Sequence, residues 1–210
     1  MRLPALALGA LLLVLAAPAH ALVSVWDRLP AGLPADSLGP ALQRLERANP
    51  RAVSAGAAYT LGQFRYARGE YRLAAEAFGR AAARLQAYDR AEARYRQGLA
   101  WLGVNDGGRA RAAFEEVSSL SAPLRPLAQW GLARALALTG EPVLELATLE
   151  RLLQSTAGEA EPAALERYAR LCEHAHRVAD AVAARDRLTR RWPRSLEAAR
   201  LRSERNGVQP

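Results

Sequence analysis

Lysine and isoleucine are missing from this sequence altogether, and cysteine and methionine occur once each. With Cys172 as the sole thiol, no intramolecular disulfide can form, so stability must come from packing. Histidine is almost as scarce: His20 lies near the start, which leaves His174 and His176 for any chemistry further along. Cys172 and His176 are four residues apart, a spacing that sets two metal ligands on one helix face. No third or fourth ligand accompanies them, and a buried thiol is the better account of Cys172. A Cys/His nucleophile is no better supported, since no orienting Asn or Asp is in evidence. Phosphate-cradling glycine loops are absent too; Gly107-Gly108 reads only as a turn. The sequence therefore assigns no catalytic residue, no metal site and no cofactor.

The absence of lysine makes every basic residue an arginine, a pattern of GC-rich coding more than of arginine chemistry. The formal charge is +8, and a basic surface attracts nucleic acid, anionic headgroups or acidic partners. The N-terminus narrows that choice. Met1-Arg2 precedes an apolar run from Leu3 to Ala17, followed by Ala19-His20-Ala21, the pattern of a secretory signal peptide cut after Ala21. An uncleaved anchor is the alternative, because Leu22 to Trp26 prolongs the run, but Pro4 and Pro18 interrupt it. No Cys lies at the cut to carry lipid, and no twin arginine precedes the run. Cleavage removes Arg2 and leaves +7. Export sets nucleic acid aside as a partner. Much of the remaining charge reads as solvated pairs along helix faces, such as Glu76 and Arg80 at i,i+4.

What the chain does have is internal repetition. Residues 22–36 are Pro-rich and read as a linker or surface tail. Ser37 can cap a short helix to Ala48 with Leu38, Leu42 and Leu45 on one stripe, ended by Asn49-Pro50. Beyond it, Leu61-Gly62, Gly69, Tyr71, Ala74, Phe78 and Ala81 place small residues where two helices cross and an aromatic ring in the gap between them. Gly62 and Gly98 are 36 residues apart, as are Phe78 and Phe114, and Ala110 repeats Ala74. Asp89 with Glu92 is a candidate capping box, and Asn105-Asp106-Gly107-Gly108 a turn. A third unit near Pro126 has Leu132-Ala133, Gly140, Glu141-Pro142 and the stripe Leu146, Leu149, Leu152, with Glu145 where Ala74 stood. A fourth near Pro162 has Tyr168-Ala169 and Ala181 and closes at Trp192-Pro193; a last helix is capped by Ser195. The units start near 55, 91, 126 and 162, inside a repeat domain of 37–206 with a tail of 207–210.

These residues resemble the tetratricopeptide repeat family, whose helix–turn–helix unit is about 34 residues long. The resemblance implies an all-α, right-handed solenoid of about four repeats with helical caps, a scaffold for protein partners and not an enzyme. It also implies that the first helix of each repeat lines a concave groove, with particular positions facing the ligand. Those positions give Tyr59, Tyr95 and Trp130; Gln63, Leu99, Arg134 and Arg170; and Tyr66, Leu102 and Ala137. Three aromatics in one position of successive repeats would make a ladder of binding anchors, or else pack between repeats as core.

Arg190-Arg191-Trp192-Pro193-Arg194-Ser195 is similar to junctions in periplasmic members of the family, among them coordinators of the Tol–Pal machinery and outer-membrane assembly subunits. The expectation is thus a periplasmic adaptor in envelope assembly, secretion or division, holding a peptide or helix of a protein partner. The alternative is an accessory factor that binds an anionic glycan or lipid surface through its basic last repeat, with peripheral membrane or peptidoglycan contact.

Overall fold

The computed structural model describes residues 35–48, 53–155 and 160–205. The signal peptide, its cut after Ala21, residues 22–34 and the tail 207–210 lie outside them. Among the described residues there are ten helices and no strand: α1 (Ala35–Ala48), α2 (Ala55–Ala67), α3 (Tyr71–Ala82), α4 (Ala87–Gly103), α5 (Gly107–Leu120), α6 (Arg125–Thr139), α7 (Pro142–Gln154), α8 (Glu161–His174), α9 (Val178–Arg191) and α10 (Leu196–Arg205).

Local chemistry sets where these helices begin. Ser54 Oγ accepts from the Ala57 amide at 3.2 Å, Asp106 Oδ1 from Arg109 at 3.0 Å, and Ser195 Oγ from Ala198 at 3.1 Å. Proline opens α6, α7 and α8, where a missing N–H costs nothing. Between the two helices of each pair the chain reverses through one left-handed residue. These are Gly69, Asn105, Gly140 and His176, spaced 36, 35 and 36 residues apart. Glycine meets that backbone at no steric cost, and Asn tolerates it better than most. The repeat is therefore legible in the backbone, and it pairs α2 with α3, α4 with α5, α6 with α7 and α8 with α9.

Side chains then decide how the pairs stack. A methyl group on Gly62 would lie 2.7 Å from the Phe78 ring, and one on Gly98 2.7 Å from Phe114. Phe114 also presses on Gly131 of the next pair, 2.5 Å from where a methyl group would stand. Bare backbone on both sides lets this ring sit fully buried, and each such ring contributes roughly 2–3 kcal/mol by leaving water. A continuous apolar core runs from Leu42 on α1 to Ala135 on α6; two smaller clusters serve α6–α8 and α8–α10. Helix α1 packs on α2 through Leu42 and through Gly39, which faces Phe64. Its Glu46 receives both Arg65, at 2.5 Å, and Arg80.

Several local expectations change. Helix α4 starts at Ala87, one turn before the expected start near 91, because Gln86 is extended and begins it. Asp89 therefore lies in the first turn, where its charge suits the helix dipole, and is not the cap. Asn105 makes the second reversal, while Gly107 and Gly108 belong to α5. Helix α1 begins at Ala35, ahead of Ser37. Arg80 pairs with Glu46 across helices instead of with Glu76 along its own. In the third pair Leu149 takes the ring's place and is fully buried. Glu145, at the small-residue position, is 2% exposed and is held by Arg167 at 2.5 and 2.8 Å.

Candidate functional site

Curvature follows from which helices meet across repeats. The first helices α4 and α6 approach one another, as do α8 and α10, while no pair of second helices comes as close. These contacts set α4 with α6, and α8 with α10, on the side toward which the array bends, the face on which the predicted groove residues are expected.

On that face the sequence-predicted residues divide by depth. Tyr59 is 9% exposed and Leu102 7%, so both belong to the core. Tyr95, Leu99 and Trp130 are half-buried; Tyr95 and Leu99 lie on the main core and Trp130 on the cluster of α6–α8. Gln63 is half-buried too, and its amide oxygen has no hydrogen-bond partner among the described residues. Tyr66, Arg134, Ala137 and Arg170 are exposed. Arg170 is spent on Glu166, one helical turn away, at 2.7 Å. Arg134 has no ion-pair or hydrogen-bond partner among the described residues.

The ladder positions are pinned from behind by the buried rings. Tyr59 meets Phe78 edge-on, with centroids 5.4 Å apart, and Tyr95 meets Phe114 at 5.9 Å. The Tyr59 hydroxyl donates to Glu92 Oε1 at 3.2 Å, which also accepts from Arg96 Nε at 2.8 Å. Burial, then the Glu92 charge, pushes the Tyr59 phenol up to about 12. The Tyr95 phenol is raised as well, first by burial; the charge on Arg96 opposes this, Glu92 adds to it and Arg134 opposes it.

The charge on Arg134 and the Tyr66 phenol both act on the Tyr95 phenol, and the three residues come one from each of the first three pairs. Of the ten predicted groove residues, these three carry polar groups that influence one another from successive repeats. Glu92 and Arg96 join them unpredicted. Their i,i+4 spacing on α4 was the available signal, but which face they occupied could not be read without the turn of the helix. The arrangement offers two phenol edges and one unspent guanidinium, a set suited to a partner's carboxylate beside an apolar side chain.

The four-residue spacing of Cys172 and His176 does not set them on one helix face: α8 ends at His174, and His176 lies in the left-handed turn while Cys172 is buried. Among the described residues no group of three or more His, Cys, Asp or Glu side chains could hold a metal ion.

No family model and no curated protein matches this sequence. Solved structures do. YrrB, a tetratricopeptide-repeat protein with an unusual peptide-binding site, is similar over 89% of this chain and 92% of its own at 15% identity, with a TM-score of 0.65. MamA aligns over 71% of this chain and 84% of its own, at 18% identity and a TM-score of 0.60. PilF of Pseudomonas aeruginosa aligns over 88% and 87%, at 20% identity and a TM-score of 0.55. The fold is an all-helical solenoid of helix–turn–helix pairs. It is the tetratricopeptide-repeat fold.

Proposed function

We propose that the chain is a non-enzymatic scaffold that holds a peptide or helix of a partner protein on the concave face of its first helices. The observation that carries this reading is the half-buried Tyr95, pinned on Phe114 from behind, with exposed Tyr66 and Arg134 contributed by the flanking repeats and Arg134 unpaired among the described residues. A solvent-facing guanidinium beside two phenols favours a ligand that brings a carboxylate and an apolar or aromatic anchor. The peptide-binding site named for YrrB, on the same fold, supports the class of ligand. The leader-like Met1–Ala21 supports export and cleavage, and with it a periplasmic role in envelope assembly, secretion or division.

The test is a photocrosslinking side chain at Tyr66 in living cells. A partner adduct should form there, vanish in Arg134→Glu, and not form from Arg151 on the second helix of the third repeat. An adduct indifferent to Arg134 removes the groove reading. Processing is checked separately: the protein released by osmotic shock should begin at Leu22, and intact Met1 in the membrane fraction would overturn export with cleavage.

A second reading has its own support. The Arg190 and Arg202 guanidinium groups meet backbone carbonyls of Asp186 and Pro193 in place of carboxylates, which leaves net charge at the end of the array for an anionic glycan or lipid surface. Binding of that kind collapses as salt is raised, whereas an aromatic groove persists.

A further inference from the structure

We propose that the fourth repeat is hinged on the third, so that α8 to α10 move as one unit about a polar joint between α7 and α8 that salt loosens. This goes beyond the groove reading and does not depend on it. Of the three joints between successive pairs, the one between α7 and α8 is the smallest. The main apolar core stops at Ala135 on α6, and only a small cluster of Leu149, Leu152, Ala164 and their neighbours continues across.

The sequence explains the break. Phe114 spans the preceding joint by pressing on Gly131, and separating those helices would empty a ring's place in the core. In the third pair that ring is Leu149, and in the fourth it is Arg185, which turns to Glu173 at 2.5 Å. Beside that small apolar cluster, polar side-chain links cross the joint. Arg167 holds Glu145, Arg177 reaches Glu150 at 2.6 Å, Tyr168 donates to Glu150 at 3.4 Å, and Arg187 donates to the Leu153 carbonyl at 3.0 Å. Beside these links lies an open cleft of about 470 Å³, lined by Glu150, Leu153, Tyr168, Arg177, Asp180 and Arg187.

Apolar surfaces resist separation, whereas ion-paired side chains that are already about a third exposed pass into water at little cost. Glu145 regains hydration when the joint opens, which offsets the loss of Arg167. Salt screens such pairs and leaves apolar packing intact. Because Arg134 lies on one side of the joint and Arg170 on the other, opening also changes the length of the inner face.

The test is native-state hydrogen exchange of the purified full chain at 0.05 M and 0.5 M NaCl and constant pH, read by mass spectrometry. Amides of α8 and α9 should exchange together, faster than those of α2 to α5. Their rates should rise at least about fivefold with salt, while α2 to α5 change by less than about twofold. Glu150→Gln, which touches only the half-exposed side of the joint, should bring α8 and α9 to the high-salt rate at low salt. Glu145→Ala with Arg167→Leu restores the small residue of Ala74 and Ala110 and should slow exchange of α8 and α9 at both salt concentrations, while the Glu150 links keep their salt response. Should that double variant fail to fold, the wild-type comparison and Glu150→Gln decide alone. A uniform exchange rate from α2 to α9 with one common salt dependence overturns the hinge, as does a Glu150→Gln protein that exchanges like wild type.

Discussion

Tyr95 packs edge-on against Phe114, with ring centroids 5.9 Å apart and planes at 60°, so one side of the phenol belongs to the core while the other faces the inner surface. Truncation should therefore show both characters. Tyr95→Ala should cost about 1–2 kcal/mol of stability, against about 3–5 kcal/mol for Phe114→Ala, whose ring is wholly enclosed. Urea denaturation of the two variants under one condition checks the ranking. Equal losses would mean that Tyr95 is a core residue with nothing left for a partner.

Gly131 should tolerate no methyl group. Its added carbon would lie 2.5 Å from the Phe114 ring, and a ring enclosed on both sides has nowhere to move. Gly131→Ala is expected to destabilise by about 2–3 kcal/mol through overpacking. Phe114→Leu in the same chain should recover part of that loss, because the smaller side chain vacates the space. A double-mutant cycle on thermal melts reads the coupling, and strict additivity would mean the two residues do not press on one another.

The first two repeats were legible because they combine three local signals at one spacing: a left-handed turn residue, a bare crossing position and a ring. Gly62, Ala74 and Phe78 with Gly98, Ala110 and Phe114 announce their own packing. The third and fourth pairs lost the ring and kept the turns at Gly140 and His176, and His176 is a far weaker signal for a left-handed backbone than glycine. Helix starts slipped where the cap was not a side chain, as at Gln86. Depth on the inner face was the least legible quantity. Tyr59, Leu102 and Tyr66 occupy register positions that read alike in one dimension. The ring of Phe78 behind Tyr59, and the solvent beside Tyr66, are set by the curvature of the whole array.

Glu46 should behave as the clasp of the first helix. Its carboxylate is the acceptor for both Arg65 and Arg80, and the Arg65 side chain is only 10% exposed. Glu46→Gln keeps the shape and removes the charge, leaving an enclosed guanidinium without its counter-ion. Stability should fall by about 1–3 kcal/mol. The loss should concentrate in α1, whose amides should exchange faster while those of α4 and α5 hold their rates. Glu76→Gln, on α3 one helical turn before Arg80 but without that role, should leave both measurements near wild type. Equal effects from the two substitutions would transfer the clasp from Glu46 to the helix's own pair.

Tyr59 makes the fold sensitive to alkali, and the sign can be worked out. A phenol is neutral when protonated, and burial with the neighbouring Glu92 charge raises its folded value from 10.0 to about 12. Below pH 10 the proton is bound in both folded and unfolded chains, so the stabilising contacts of the neutral phenol are fully present. Between about pH 10 and 12 the unfolded chain gives up this proton and the folded chain does not. Stability must fall across that window, by about 2 kcal/mol at its upper end. Tyr59→Phe removes the titrating group and keeps the ring against Phe78. The variant loses the bond to Glu92 at neutral pH, so it should melt slightly below wild type at pH 8. Its decline from pH 10 to 12 should be shallower, and the two melting curves should converge or cross. Tyr95→Phe provides the comparison, because its phenol is also raised by burial but makes no hydrogen bond to Glu92. Parallel curves for wild type and Tyr59→Phe through this range would mean that the Tyr59 hydroxyl is solvated in the folded chain and that its place in the core is wrong.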